Sequence, residues 1–258
     1  MPDTTPDSII PDIDFLIGLE PEKAIEFLTA KGYQFSWDWN EILKEAHTKA
    51  FTVAKVMKMD ILQDIRNEVT KSLKEGITYE QFKRDLKPVL KTYGWWGKVP
   101  AKDVPGFDPA SGIDPEKIVQ LGSPRRLDTI YRTNIRTSMA AGRWKEQQEQ
   151  KDERPYLQYM QLQRPNKRES HARLYLKVFR IGDPVLDRIY PPNGWGCDCW
   201  MRSLSKADLK SGGYEITDGD TIDYTPDDEW NYNPGKELTK FDLTKYDPGL
   251  VKQYNKAA

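Results

Sequence analysis

The stretch from Arg168 to Cys199 constrains the fold of this chain more than any other. Arg-Glu-Ser-His171 leads to Lys177-Val178-Phe179, then to Asp183-Pro184, then to Tyr190-Pro-Pro-Asn-Gly-Trp-Gly-Cys-Asp-Cys199. One of the two histidines and both cysteines fall here. A histidine followed at a distance by Cys-x-Cys can gather one imidazole and two thiolates around a metal. A chain that does so has to fold back on itself in between. Two residues at i and i+2 point to one side of an extended strand, and Gly194 and Gly196 let the backbone bend tightly just before them.

His171, Cys197 and Cys199 are therefore the candidate ligands, with zinc as the candidate cofactor. The pattern supplies no obvious fourth ligand: Asp183 is the first choice, Asp187 and Asp198 are further carboxylates, and water is the remaining option. The competing reading makes the cysteines small buried hydrophobes and has His171 bond a carbonyl. A disulfide within Cys-x-Cys closes a strained ring. A nucleophilic Cys–His pair lacks any activating helix N-terminus, and Asp198 works against thiolate formation.

Composition narrows the class. There are 39 Lys+Arg against 40 Asp+Glu, so no global field draws the chain to nucleic acid or membrane. At 38% hydrophobic and 31% charged it is polar but not disordered, and 11% aromatic residues point to genuine cores or interfaces. No apolar run reaches membrane-spanning length and no signal-peptide pattern opens the chain, which predicts a soluble protein in a reducing cytosol with no membrane partner.

Along the chain, residues 1–20 are expected to form an extended arm, and 21–93 read as a helical subdomain. Pro21 and Gly32 bracket a short helix over 21–31. Spacing at three and four predicts a helix over 38–58 that contains His47, and another from Ile61 to a stop at Gly76. Thr78-x-x-Gln81 is a capping-box pattern that opens a further helix. Glycines and prolines over 94–122 predict a linker or ordered loop, with one helical turn near 115–120, anchored by Trp95-Trp96. Ser123-Pro124 starts the clearest helix. Short strands are expected over 156–162, 177–181 and 199–204, and Ser205 caps a helix to about Lys210. The core domain runs over 123–212. The acidic, aromatic tail 213–258 is expected to be irregular, packing by its aromatics or serving as a docking arm.

On the long helix, Arg125, Arg132, Arg136 and Arg143 lie within roughly 40° of one another, opposite the apolar side. Such a row is either a solvated back face or a surface for an acidic partner or a nucleic-acid backbone.

With these motifs in view, the chain closely resembles the phage Mu F-like head morphogenesis (minor head protein) family. Pro21-Glu-Lys-Ala-Ile-Glu-Phe27, Trp37-Asp-Trp39, Gly94-Trp-Trp-Gly97, Gly122-Ser-Pro-Arg-Arg-Leu-Asp-Thr-Ile-Tyr-Arg-Thr-Asn134, Asn231-Tyr-Asn-Pro-Gly235 and above all His171 with Tyr190–Cys199 carry the likeness, over about residues 20 to 236. Two positions depart from it: Asp198 stands where the family commonly has Arg, and Leu176 where it commonly has Gly.

The resemblance implies a virion-assembly protein of the phage head, found in host cytoplasm during assembly. Its implied partners are the portal protein and the major capsid and prohead proteins, with phage DNA as a further candidate. The fold expected is α+β: a helical N-terminal region, then a small domain whose long helix packs on a short, mostly antiparallel sheet. The role expected is structural rather than enzymatic. The alternatives are a metal-dependent enzyme or nucleotide-modifying, toxin-like domain, for which Glu169 is the only nearby base, and a DNA-binding module using the arginine row.

Overall fold

A computed structural model describes residues 21–38, 50–165 and 167–236. Among the described residues it shows an α+β arrangement whose two larger hydrophobic cores are threaded by one long helix. Helix α1 (Pro21–Ala30) leads into β1 (Gly32–Tyr33), which pairs in parallel with β2 (Ala50–Phe51). Helices α2 (Met59–Glu75) and α3 (Tyr79–Thr92) follow. Gly76 ends α2 in the left-handed region, with φ 64, and its N–H donates to the Ser72 carbonyl. Thr78 caps α3 by accepting from the Gln81 N–H. Both ends follow the sequence signals.

The helix expected over 38–58 is corrected at its C-terminal part. Residues 39–49, His47 among them, lie outside the described residues, but Ala50–Phe51 is a strand and Lys55 has φ 60. The carbonyls that would continue a helix are consumed by tertiary bonds. The Trp95 indole N–H donates to the Lys55 carbonyl at 2.7 Å, and the Arg126 guanidinium donates to the Ala54 carbonyl. Ala50, Phe51, Val53 and Val56 are all buried, so the apolar spacing came from core packing rather than from a helical face.

Between Gly94 and Gly122 the backbone is an ordered loop built on a two-stranded antiparallel pair, β3 (Lys98–Pro100) and β4 (Ile118–Gln120). The helical turn expected near 115–120 is a single turn over Asp114–Lys117, where the Lys117 N–H donates to the Asp114 carbonyl at 3.2 Å, and Ile118–Gln120 is a strand instead; single 3-10 turns occur at Ala101–Asp103 and Pro109–Ser111. Trp95, Ala101, Val104, Val119 and Leu121 enter the same core as α2 and α3. Trp95 is fully buried, and the Arg126 guanidinium sits 4.8 Å from its ring centre. Gly122 is required because a Cβ there would lie 2.7 Å from the Trp95 carbonyl oxygen.

Helix α4 (Pro124–Glu149) is capped by Ser123, whose hydroxyl accepts from the Arg126 N–H. At 26 residues it is about 39 Å long, enough to serve both cores. Leu127, Ile130, Ile135 and Met139 belong to the first core, and Trp144 to the second. Helix α1 crosses α4 closely at Gly142, where a Cβ would sit 3.0 Å from the Ala24 nitrogen.

The second core is laid on a three-stranded antiparallel sheet of order β6-β5-β7: β5 (Tyr156–Gln161) is central, flanked by β6 (Val178–Arg180) and β7 (Cys199–Leu204). Alternation along the strands sends Leu157, Tyr159, Phe179 and Met201 to the side of Trp144. Tyr156, Val178 and Leu204 go to the other side, under Leu209 and Tyr214. Short helices α5 (Glu169–Ala172) and α6 (Leu186–Ile189) fill the connections, and α7 (Lys206–Ser211) opens on a Ser205/Asp208 capping box. From Gly212 to Lys236 the chain is irregular, with 3-10 turns at Gly219–Thr221 and Asp228–Trp230. Its acidic residues Glu215, Asp218, Asp220, Asp223, Asp227 and Asp228 are exposed, while Ile222, Trp230 and Tyr232 are buried. Among the described residues no helix is long and apolar enough to cross a membrane.

Candidate metal centre

His171, Cys197 and Cys199 meet. Their ligating atoms all lie within 4.8 Å of one another, and the three residues are 3%, 4% and 6% exposed. His171 Nδ1 is 3.6 Å from the Cys197 sulfur and 3.5 Å from the Cys199 sulfur. Both cysteines are free thiols.

Local sequence explains how each ligand arrives. The α5 turn that carries His171 is held to the sheet by Gln161, whose Nε2 donates to the Arg168 carbonyl at 3.0 Å. The Arg168 guanidinium donates to the Trp195 carbonyl and lies against Gly194, where any Cβ would collide with it. The Pro-Pro-Asn-Gly run begins with a cis Pro191–Pro192 bond. Asn193 follows, 1% exposed, and donates from Nδ2 to the Ile189 carbonyl at 2.8 Å and to the Tyr159 hydroxyl at 3.0 Å. Gly196, with φ 69, then turns the chain so that the Cys197 N–H returns to the Gly194 carbonyl. Cys199 begins β7 opposite Gln161 of β5.

Around the cluster, the Asn193 backbone bonds the Cys197 sulfur, and the Tyr159 side chain bonds that of Cys199. The Tyr224 ring stands edge-on to His171, 5.8 Å away at 72°. Tyr224 is itself held where the Arg188 guanidinium donates to its carbonyl and, at 2.8 Å, to that of Ile222. Burial works to raise the Cys197 thiol pKa, but hydrogen bonding from Cys199 and His171 and the Asn193 amide outweigh it and hold the thiol well below its ordinary value. Cys199 is pushed up, first by its bond to Cys197 and then by burial.

Asp183 is not part of this centre, which corrects its assignment as fourth ligand. Its Oδ1 accepts from the Val185 N–H at 3.0 Å, and its carboxylate rests on Gly219, capping the turn that leads into α6. Asp187 pairs with Lys236. Asp198 alternates away from the flanking sulfurs to accept from Arg136 and, at 3.1 Å, from Arg164. Glu169 is exposed and outside the cluster. Tyr159, Asn193 and Tyr224 were not singled out from sequence. Only the Pro-Pro-Asn-Gly turn hinted at Asn193, because the contacts of the two tyrosines come from tertiary packing.

The arginine row does not form one open stripe. Arg125 is exposed and Arg132 bonds Asp128 one turn earlier at 2.7 Å, whereas Arg136 reaches Asp198. Arg143 is half-buried, and burial lowers its pKa. Both readings of the row as a continuous surface are corrected at Arg136. That residue ties the long helix to the Cys-x-Cys segment. Asp198 thereby finds its counter-charge inside the molecule.

Comparison with known proteins identifies relatives of this chain. The family model described as "Phage Mu protein F like protein" matches residues 63–202, which runs from within α2 to within β7 and takes in His171, Cys197 and Cys199. The chain is 38% identical over 254 residues to the putative capsid assembly protein F of Escherichia phage Mu, covering 87% of this chain and 56% of that protein. It is 41% identical over 185 residues to the Mu-like prophage FluMu F protein of Haemophilus influenzae, covering 72% of this chain and 42% of that protein. The chain thus spans about half the length of these relatives. No solved structure matches it. A family match over more than half the chain, the two relatives and the His–Cys-x-Cys core within the matched span together show that this chain belongs to the phage Mu protein F like family.

Proposed function

We propose that this chain is a minor head protein that acts in phage capsid assembly, docking to portal and prohead components in the host cytoplasm and staying with the virion head. The observation that carries this is the 38% identity, along 87% of the chain, to a protein named for capsid assembly. The structure supports a binding rather than a catalytic role. The one concentration of chemically reactive side chains among the described residues that lie close enough to hold a metal is buried, with each member at most 6% exposed, so it offers a substrate no open cleft.

The exposed carboxylates between Glu215 and Asp228 give a negative surface backed by buried aromatics, suited to a basic face of a head protein. DNA is the less favoured partner, since Arg136 is bound to Asp198 within the fold and Arg143 is half-buried.

The test is co-assembly. The chain is expressed with the portal and major capsid proteins of its own phage, and proheads are isolated on a gradient. The chain is expected in the prohead fraction, and its removal is expected to lower the yield of normal heads. Proheads that exclude the chain and form normally without it would refute the proposal.

A further inference from the structure

We propose that His171, Cys197 and Cys199 bind one zinc ion through Nδ1 and the two sulfurs, with an oxygen at the fourth corner, and that Tyr159 and Asn193 are positioning residues for the two thiolates.

The distances carry this first. With Zn–S near 2.3 Å and Zn–N near 2.0–2.1 Å, a tetrahedral site separates nitrogen from sulfur by about 3.6 Å. The two observed separations are 3.6 and 3.5 Å. The second argument concerns valence. A neutral imidazole nitrogen offers one lone pair or one proton, so it serves one well-directed hydrogen bond. Here two sulfurs converge on the same Nδ1 at nearly equal range. An ion at the centre of the three atoms satisfies all of them at once, whereas Nδ1 can hydrogen-bond only one of the two sulfurs that approach it.

Third, each sulfur has its own supporting donor. The Asn193 backbone serves Cys197 and the Tyr159 hydroxyl serves Cys199, with the Asn193 amide fixing Tyr159 at 3.0 Å. Hydrogen bonds onto thiolate ligands orient them and moderate their charge. Two thiolates with an imidazole are a donor set for zinc rather than for calcium or magnesium. No other His, Cys, Asp or Glu among the described residues joins the cluster. The fourth corner therefore falls to water.

Such an ion would tie together three stretches that otherwise meet through few regular backbone bonds: the α5 turn, the Pro191–Gly196 loop and the start of β7. Tyr224 of the C-terminal strap rests on its histidine. The role is structural, and it is independent of which head-assembly step the chain serves.

The experiment uses the full chain, isolated without a polyhistidine tag or chelator. Elemental analysis is expected to find one zinc per chain, and close to none in a Cys197→Ser/Cys199→Ser variant. Cobalt(II) added to chelator-stripped wild-type chain is expected to give thiolate-to-metal charge transfer and the visible bands of a four-coordinate centre. Tyr159→Phe is expected to keep the metal, to shift the charge-transfer band and to lose about 10–100-fold in affinity.

The wild-type cobalt titration decides the matter even if the double variant does not fold. A metal-free wild-type chain with native circular dichroism and no cobalt charge transfer would overturn the site. A Tyr159→Phe protein with wild-type affinity and an unshifted band would overturn the role given to Tyr159.

Discussion

At Leu176, glycine should be more stable than alanine, the reverse of the usual order. Leu176 has φ 66, and its backbone is pinned there on both sides. Its N–H donates to the Tyr159 carbonyl at 2.8 Å, its carbonyl accepts from Gln158 Nε2 at 3.2 Å, and the Tyr159 N–H returns to the Lys177 carbonyl at 2.9 Å. The residue cannot relax out of the left-handed region without breaking the bonds that place Tyr159 beside the cysteines. The side chain is 42% exposed.

Leu176→Ala removes the isopropyl group and Leu176→Gly removes Cβ as well, so at this 42%-exposed site their difference is dominated by the backbone. Holding an L-residue at this φ costs about 1–2 kcal/mol, which glycine avoids. Glycine returns about 0.4–1 kcal/mol through its freer unfolded chain. The net expectation is a glycine variant more stable than the alanine variant by about 0.5–1 kcal/mol, or roughly 2 °C in Tm for a chain of this size. In an ordinary strand or helix, glycine would instead lose about 0.5–1 kcal/mol to alanine. Reversible urea unfolding followed by tryptophan fluorescence measures the difference. An alanine variant as stable as the glycine variant, or more so, would refute the reasoning.

Three further outcomes are expected. Arg126→Met should lower stability by about 1–4 kcal/mol in urea unfolding: two or more charge-assisted bonds at about 1.5–3 kcal/mol each are offset by the cost of burying a guanidinium that lowers its pKa to about 10. Arg126→Lys should restore little of it, because an ammonium cannot fork to the Ala54 and Gln120 carbonyls together. Lys31 is pulled to about 7 by burial, reinforced by the charge of Arg66. Its folded pKa is below its unfolded one, so the unfolded chain holds more protons between about pH 7 and 10.5. Stability should therefore rise across that window, with the penalty fully present below it. Lys31→Met should flatten this slope and gain at most about 5 kcal/mol at pH 6, less the lost contact with Phe27, as read by unfolding at several pH values. Gly235→Ala should cost about 1–3 kcal/mol, because a Cβ there lies 2.5 Å from Trp144 Cγ and Cδ1, and limited proteolysis should cut the C-terminal strap sooner.

The sequence by itself determined the features that depend on neighbouring residues. Ser123-Pro124 fixed the start of α4 and Thr78 that of α3, because a cap needs only its own next turn. Alternation over Tyr156–Gln161 placed the central strand, and the His–Cys-x-Cys spacing named the three residues that meet. Tertiary structure alone decided whatever depends on partners distant in the chain. Ala50–Phe51 became a strand because Trp95 and Arg126 take the carbonyls just beyond it. Arg136 turned inward because Asp198, 62 positions away, supplies its counter-charge. Asp183 left the ligand set because the Val185 N–H lies nearer than the sulfurs. Tyr159 and Tyr224 reached the cluster through sheet register and the folding back of the C-terminal strap. Local patterns encode local hydrogen bonds, whereas the choice of a distant partner is settled by which burial and which charge pairing the whole fold satisfies together.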